Sequence, residues 1–237
     1  MLLHKLFESL SFFIAEDSQH HWVTQIFKQK EPPRKKECFR ELSNQIVEES
    51  LQIMKDEGWV EESRECDDVI YSRKIPKYGK VFKYEGIVNI NAGKLKFKLF
   101  DEVEKSPEWN CCLTDAKVVQ PIDNQTDVAH IVSKGYPFVS SRDFVNLRTW
   151  RKKGNDYVHS CISISHPKVP EHPSYVRGQH RLCTYVISPL PQDPNRSKVT
   201  WLMQVNLNGW LPQYIIDQTI SIGMLDHVKA IKTFLAD

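Results

Sequence analysis

Nine histidines, six cysteines and 30 acidic side chains supply the usual materials of catalysis and metal binding, and their spacing decides whether they can act together. His159, His166 and His172 stand near one another in sequence, and neutral imidazoles are common metal ligands. The last two, however, flank prolines in HPKVPEHP (166–173), which reads as a rigid loop and not as the helix face that presents a zinc pair in HExxH. That pattern, the GxSxG elbow, the Walker loop and the glycine-rich dinucleotide turn are all missing from the chain. None of Cys38, Cys66, Cys111, Cys112, Cys161 and Cys183 belongs to a CxxC pair, and the adjacent Cys111-Cys112 suit neither a zinc cluster nor an easy bridge. Reduced thiols, no metal, no cofactor and no activated nucleophile are the expectation.

One charged residue has a sharper placement. RDFVNLRTWRK (142–152) alternates as a strand does, which puts Phe144, Asn146, Arg148 and Trp150 on one face. Turned outward, Arg148 is an ordinary solvated charge. Turned inward, its guanidinium costs several kcal/mol unless it is paired or reached by water or a polar ligand group. Strand parity alone leaves both readings open.

The elements that position these residues follow from periodicity. Phe39, Leu42, Ile46, Val47, Leu51 and Met54 predict an amphipathic helix over 37–57, stopped by Gly58. Period-two patterning then predicts strands at 67–74, 80–90, 112–122, 126–133, 142–152, 156–165, 178–189 and 197–207, with one helix over 92–105 between the second and third. A helix over 212–236, opened by Pro212, closes the chain. Helices segregated from runs of neighbouring strands favour an α+β fold around an antiparallel sheet.

The final helix is apolar over more than one face. Ile216, Ile220, Met224, His227, Ile231 and Phe234 form one stripe, and Ile215, Ile222, Leu225 and Val228 a second. Either it is deeply buried in a packed core or it covers a cavity holding an apolar ligand. On the last strand, Val199, Trp201, Met203, Val205 and Leu207 share one face, while Leu202 and Gln204 share the other.

Charge narrows the function classes. With 32 basic and 30 acidic residues the net charge is +2, without the clustered excess of a sequence-independent nucleic-acid binder. The longest apolar runs, such as Phe12-Phe13-Ile14-Ala15, fall far short of the roughly 20 residues that cross a bilayer. KQKEPPRKK (28–36) reads as an exposed basic linker. Ahead of it, Leu2, Leu3, Leu6, Phe7, Leu10, Phe13 and Ile14 recur at helical spacing, which fits a short packed or loosely attached leader, a membrane-surface helix or a targeting segment. With Glu8, Glu16 and Asp17 but no Arg it makes a weak mitochondrial presequence, and no basic flank marks it as a secretory signal.

Several stretches together resemble the StAR-related lipid-transfer (START) family: Gly58-Trp59, Trp109-Asn110, SSRDFVNLRTW (140–150), SHPKVPEHPSYVRG (165–178), CTYVISPLP (183–191) and SKVTWLMQVNLNGWLPQYIIDQ (197–218). The combination of RDFV, YVRG and GWLP before a last helix is specific where no single piece is. The likeness runs over roughly 40–236 and is strongest to the sterol-carrying branch of the steroidogenic acute regulatory protein.

That resemblance implies a helix-grip fold, a curved antiparallel sheet wrapped around the C-terminal helix with one lipid between them. It divides the chain into a leader and basic linker (1–36) and a lipid-binding domain (37–237). It implies a non-enzymatic carrier, monomeric and cytoplasmic, touching membranes transiently, with Lys229 and Lys232 as local basic groups. A sterol is the leading ligand; a carotenoid or other isoprenoid is the alternative, as is a lipid-sensing regulatory module. A hydrolase or cyclase using His130 or His227 is the reading from a different class. The resemblance turns Arg148 inward, to orient the polar end of the ligand. It also places the acidic partner of that arginine at Ile131, which leaves Arg148 to backbone carbonyls, His130, Asn110, Ser160 or water. The expected lining is Asn110, Ile131, Arg148, Ser160, Trp201, Met203, Ile216, Ile220, Met224 and His227. The expected gate is the last helix with a loop near 166–175 or 190–196.

Overall fold

A computed structural model describes residues 36–135 and 139–236, all within one compact unit. The expectations for the leader and for the boundary near residue 36 concern residues that lie outside these. The helix α1 (Lys36–Lys55) leads into strands β1 (Val60–Glu65), β2 (Asp68–Ile75) and β3 (Gly79–Val88). A run of short helical pieces follows, starting with α2 (Ala92–Lys96) and ending with α3 (Ser106–Trp109). Seven further strands complete one sheet: β4 (Leu113–Asp123), β5 (Thr126–Ser133), β6 (Arg142–Lys153), β7 (Asp156–Ser163), β8 (Val176–Arg177), β9 (Gln179–Leu190) and β10 (Asp193–Asn206). The last helix is α4 (Gln213–Phe234).

The strands lie in the order β1-β2-β3-β10-β9-β7-β6-β5-β4, all antiparallel, with β8 added in parallel to the start of β6. Alternation along each strand sorts side chains to two layers. One face carries Val81, Val128, Val145, Leu147, Leu182 and Leu202, which meet Phe39, Ile46 and Ile53 of α1. The other carries Phe82, Tyr84, Phe144, Cys161, Cys183, Tyr185, Trp201 and Val205, which meet Ile220, Met224, Val228 and Ile231 of α4. The α+β helix-grip architecture is thus what the chain adopts.

Three local expectations fail, each for a tertiary reason. β1 was not foreseen because its residues, VEESRE, are exposed throughout and carry no apolar alternation; pairing with β2 alone forms it. β8 is two residues long and exists through β6. The helix expected over 92–105 is broken by a π turn at Phe97–Asp101, closed by the Glu102 amide donating to the Phe97 carbonyl, and then a 3-10 turn at Val103–Lys105. The π turn frees the Leu99 and Phe100 carbonyls, and Arg148 donates to both.

Candidate functional site

Between the sheet and α4 lies a cavity of about 230 Å³. Packed interiors contain few voids larger than a water molecule, so this is a built feature. Its wall is mainly apolar and aromatic. The sheet contributes Ile131 from β5, Phe144, Asn146 and Arg148 from β6, Cys161 from β7, Cys183 and Tyr185 from β9, and Trp201, Met203 and Val205 from β10. Thr219, Ile220, Gly223, Met224 and His227 of α4 close it, and Leu99, Val103, Trp109 and Asn110 form a side wall.

One end is organised by Arg148, which is 2% exposed. Asp127 stands directly opposite it on β5, and the two form a bidentate pair, Nε to Oδ1 at 2.8 Å and Nη2 to Oδ2 at 2.6 Å. The guanidinium also donates to the carbonyls of Leu99 (3.3 Å) and Phe100 (3.1 Å) and lies 4.7 Å from the Phe100 ring centre. Burial raises the Asp127 carboxyl above its usual range, and the Arg148 charge opposes that rise. At the other end, six residues or roughly 20 Å along β6, Arg142 donates to the carbonyls of Leu207, Ser140 and Asn208.

Three histidines face the cavity, and burial holds all three neutral. His227 accepts from the Asn110 amide at Nδ1 (2.8 Å), which leaves its Nε2 proton for the Tyr185 oxygen (3.1 Å). His180 accepts from Asn146 (3.1 Å) and stacks on Phe144 at 4.3 Å. Burial lowers each to about 4. His159 lies edge to face with Phe100 (5.6 Å) and stacks over Tyr185 (5.9 Å); burial, with the charges of Arg148 and Lys96, lowers it to about 3. Among the described residues no group of three or more His, Cys, Asp or Glu could hold a metal ion.

The START-domain family model matches residues 41–236. The chain belongs to the START-domain family. It is 31% identical over 204 residues to the mitochondrial steroidogenic acute regulatory protein of Danio rerio, covering 84% of this chain and 72% of that one. To the steroidogenic acute regulatory protein of Xenopus laevis it is 33% identical over 193 residues, 80% and 68% of the two chains. The fold matches human StAR-related lipid transfer protein 5 with a TM-score of 0.75 at 22% identity, over 84% of this chain and 99% of that one. Human STARD10 gives 0.67 at 20% identity, over 88% and 84%.

In this START domain three of the stretches that carried the resemblance, those with RDFV, YVRG and GWLP, meet at one place. Asp143 of RDFV takes both Arg177 of YVRG (2.9 and 2.8 Å) and His130 (2.9 Å). Burial pushes its carboxyl up, but those hydrogen bonds outweigh it and leave it below the usual range. Asn208, beside GWLP, donates to the Arg177 carbonyl at 2.7 Å. Gly178 has no alternative, because a Cβ there would strike the Phe144 ring.

Eight of the ten residues expected to line the cavity do so: Asn110, Ile131, Arg148, Trp201, Met203, Ile220, Met224 and His227. Ser160 does not. It points to the α1 face, where its hydroxyl meets Thr184 (2.9 Å) and, through it, Ser50 (2.8 Å); its neighbours His159 and Cys161 face the cavity. Ile216 packs into the core one turn short of the lining residues of α4. Ile131 is on the wall but opposite Phe144, so the carboxylate that partners Arg148 is Asp127, four residues or two pleat repeats from the position the resemblance suggested. His130 lies on the other face with Asp143. Neither 166–175 nor 190–196 lines the cavity, whereas Lys134, Val139 and Ser140, between β5 and β6, do. Lys232 is bound to Asp68 at 2.7 Å, and Lys229 sits 3.4 Å from Glu65, so both basic groups tie α4 to the sheet.

Asp127, His159, His180 and Tyr185 were missed. Alternation in DYVHSCIS could have indicated His159, since Val158, Ser160 and Ile162 make the complementary face; nothing local could have indicated Asp127.

Proposed function

We propose that this START domain is a non-enzymatic carrier that holds one apolar lipid in the α4-covered cavity and moves it between membranes, with a sterol as the leading ligand. The observation that carries the reading is the cavity itself. Left to water, a mainly apolar wall of this kind keeps exposed the area that a lipid body would bury. Burial of several hundred Å² of lipid at about 25 cal/mol per Å² favours the cavity over water, though not over a bilayer, which is the balance a shuttle needs. The names of the steroidogenic acute regulatory relatives support a sterol over a carotenoid.

A membrane contact accompanies this reading. Trp210 is 87% and Tyr214 65% exposed, next to the start of α4 and the Arg142 end of the cavity. Amphipathic aromatic rings favour the bilayer interface, so this end of the cavity, beside the start of α4, is the one that meets the membrane. Transfer of a fluorescent sterol between vesicles tests the function: the protein accelerates it, and Met224→Trp, which fills the cavity, abolishes the acceleration. Equal acceleration by both proteins contradicts the reading.

A further inference from the structure

Polar groups on the cavity wall are almost all engaged. Arg148 is held by Asp127, Leu99 and Phe100, and Arg142 by three carbonyls. His227 is spanned by Asn110 and Tyr185, and His180 is held by Asn146. His159 differs. It is buried on β7, faces the cavity, and among the described residues neither Nδ1 nor Nε2 has a hydrogen-bond partner. An unpaired buried polar group is costly, and buried polar atoms are as a rule satisfied. The indole N–H groups of Trp109 and Trp201 are also unpaired there, but an indole only donates, whereas a neutral imidazole donates at one nitrogen and accepts at the other.

We propose that His159 recognises the polar end of the bound lipid, and that this end is an uncharged oxygen function, a hydroxyl or a ketone. The inference rests on the carrier reading and specifies its ligand. Phe100 and Tyr185 flank the ring and fix its orientation before the lipid arrives. Cys161, two residues along β7 on the same face, stands opposite Arg148, which places His159 at the Arg148 end, away from the exposed Trp210. The lipid therefore enters oxygen first, with its hydrocarbon body toward the Arg142 end. The oxygen is uncharged because Asp127 already neutralises Arg148; a carboxylate or phosphate finds no free cation at that end among the described residues.

The test uses the full chain with cholesterol and the matching hydrocarbon that lacks the 3-hydroxyl. Wild type binds the alcohol at least about tenfold more tightly, the worth of one good hydrogen bond. His159→Phe, which preserves the ring packing, loses that preference while its affinity for the hydrocarbon changes less than about twofold, and His159→Gln restores part of it. In unmutated protein, the ring-nitrogen NMR signals of His159 shift with the alcohol and not with the hydrocarbon. Preference that survives in His159→Phe, or unmoved ring-nitrogen signals, overturns the assignment and leaves the carrier reading standing. Binding of neither probe by wild type sinks the sterol-carrier reading and the assignment with it.

Discussion

Asp127 and Arg148 face each other across β5 and β6 and close a bidentate ion pair inside the wall of the cavity. The pair does more than neutralise a buried charge. Arg148 also takes the Leu99 and Phe100 carbonyls of the π turn, so one guanidinium fastens the 92–105 segment to the sheet as the side wall. Arg148 is thereby an architectural residue of the site.

The two halves of the pair are predicted to differ in cost. Asp127→Asn strands a guanidinium that cannot deprotonate, and unfolding free energy falls by about 3–5 kcal/mol. Arg148→Met costs less, because the Asp127 carboxyl, already raised by burial, can turn neutral. A group with a raised folded pKa stabilises at low pH and loses that contribution as pH climbs through it, so Arg148→Met is relatively more stable in acid. Urea titrations of both variants at pH 5 and pH 7 check this; equal losses independent of pH contradict it.

Acid should weaken the whole domain. His159, His180 and His227 have folded pKa values of about 3, 4 and 4 against an ordinary 6.5. Below pH 6.5 the unfolded chain therefore binds more protons, and stability drops by about 1.4 kcal/mol per histidine per pH unit until the folded values are reached. Asp127 works in the opposite direction and softens the fall. Thermal melts between pH 7 and 5 show a steep decline, smaller in His159→Phe; a flat profile contradicts the neutral burial of these rings.

Gly178→Ala tests the junction of the signature stretches. Its Cβ collides with Phe144, whose ring stacks on His180, and stability drops by about 1–3 kcal/mol. Adding Phe144→Leu relieves part of the loss, readable as a positive coupling in a double-mutant cycle.

Trp210→Ser combined with Tyr214→Ser should slow vesicle-to-vesicle transfer severalfold without changing the melting temperature, since both side chains are mostly in solvent. A matching loss of equilibrium lipid binding would instead place them in the cavity's affinity.

Much of the fold was legible. The excess apolar surface of α4 shows in its 3.6-residue periodicity, which left a packed core and a cavity cover both open; the family resemblance decided for the cavity and put Ile220, Met224 and His227 on its wall, where they lie. Trp201 and Met203 followed from alternation on a long strand. What sequence withheld was register. Whether Asp127 or Ile131 stands across from Arg148 depends on the β5–β6 pairing, and β4 next to it carries three irregularities. In DYVHSCIS the choice of Ser160 over His159 was off by one residue of strand parity, although Val158 and Ile162 share the Ser160 face. The break in 92–105 has its hydrogen-bond partner in Arg148, about fifty positions away, where no local pattern reaches.

One lipid in one cavity is the central claim for this domain. Native mass spectrometry of protein purified from cells, followed by lipid extraction, tests it most directly. The account predicts a one-to-one complex with a single neutral lipid bearing one hydroxyl or ketone, absent from Met224→Trp. A wild-type protein that carries no lipid and takes up neither sterols, carotenoids nor phospholipids when offered them contradicts it.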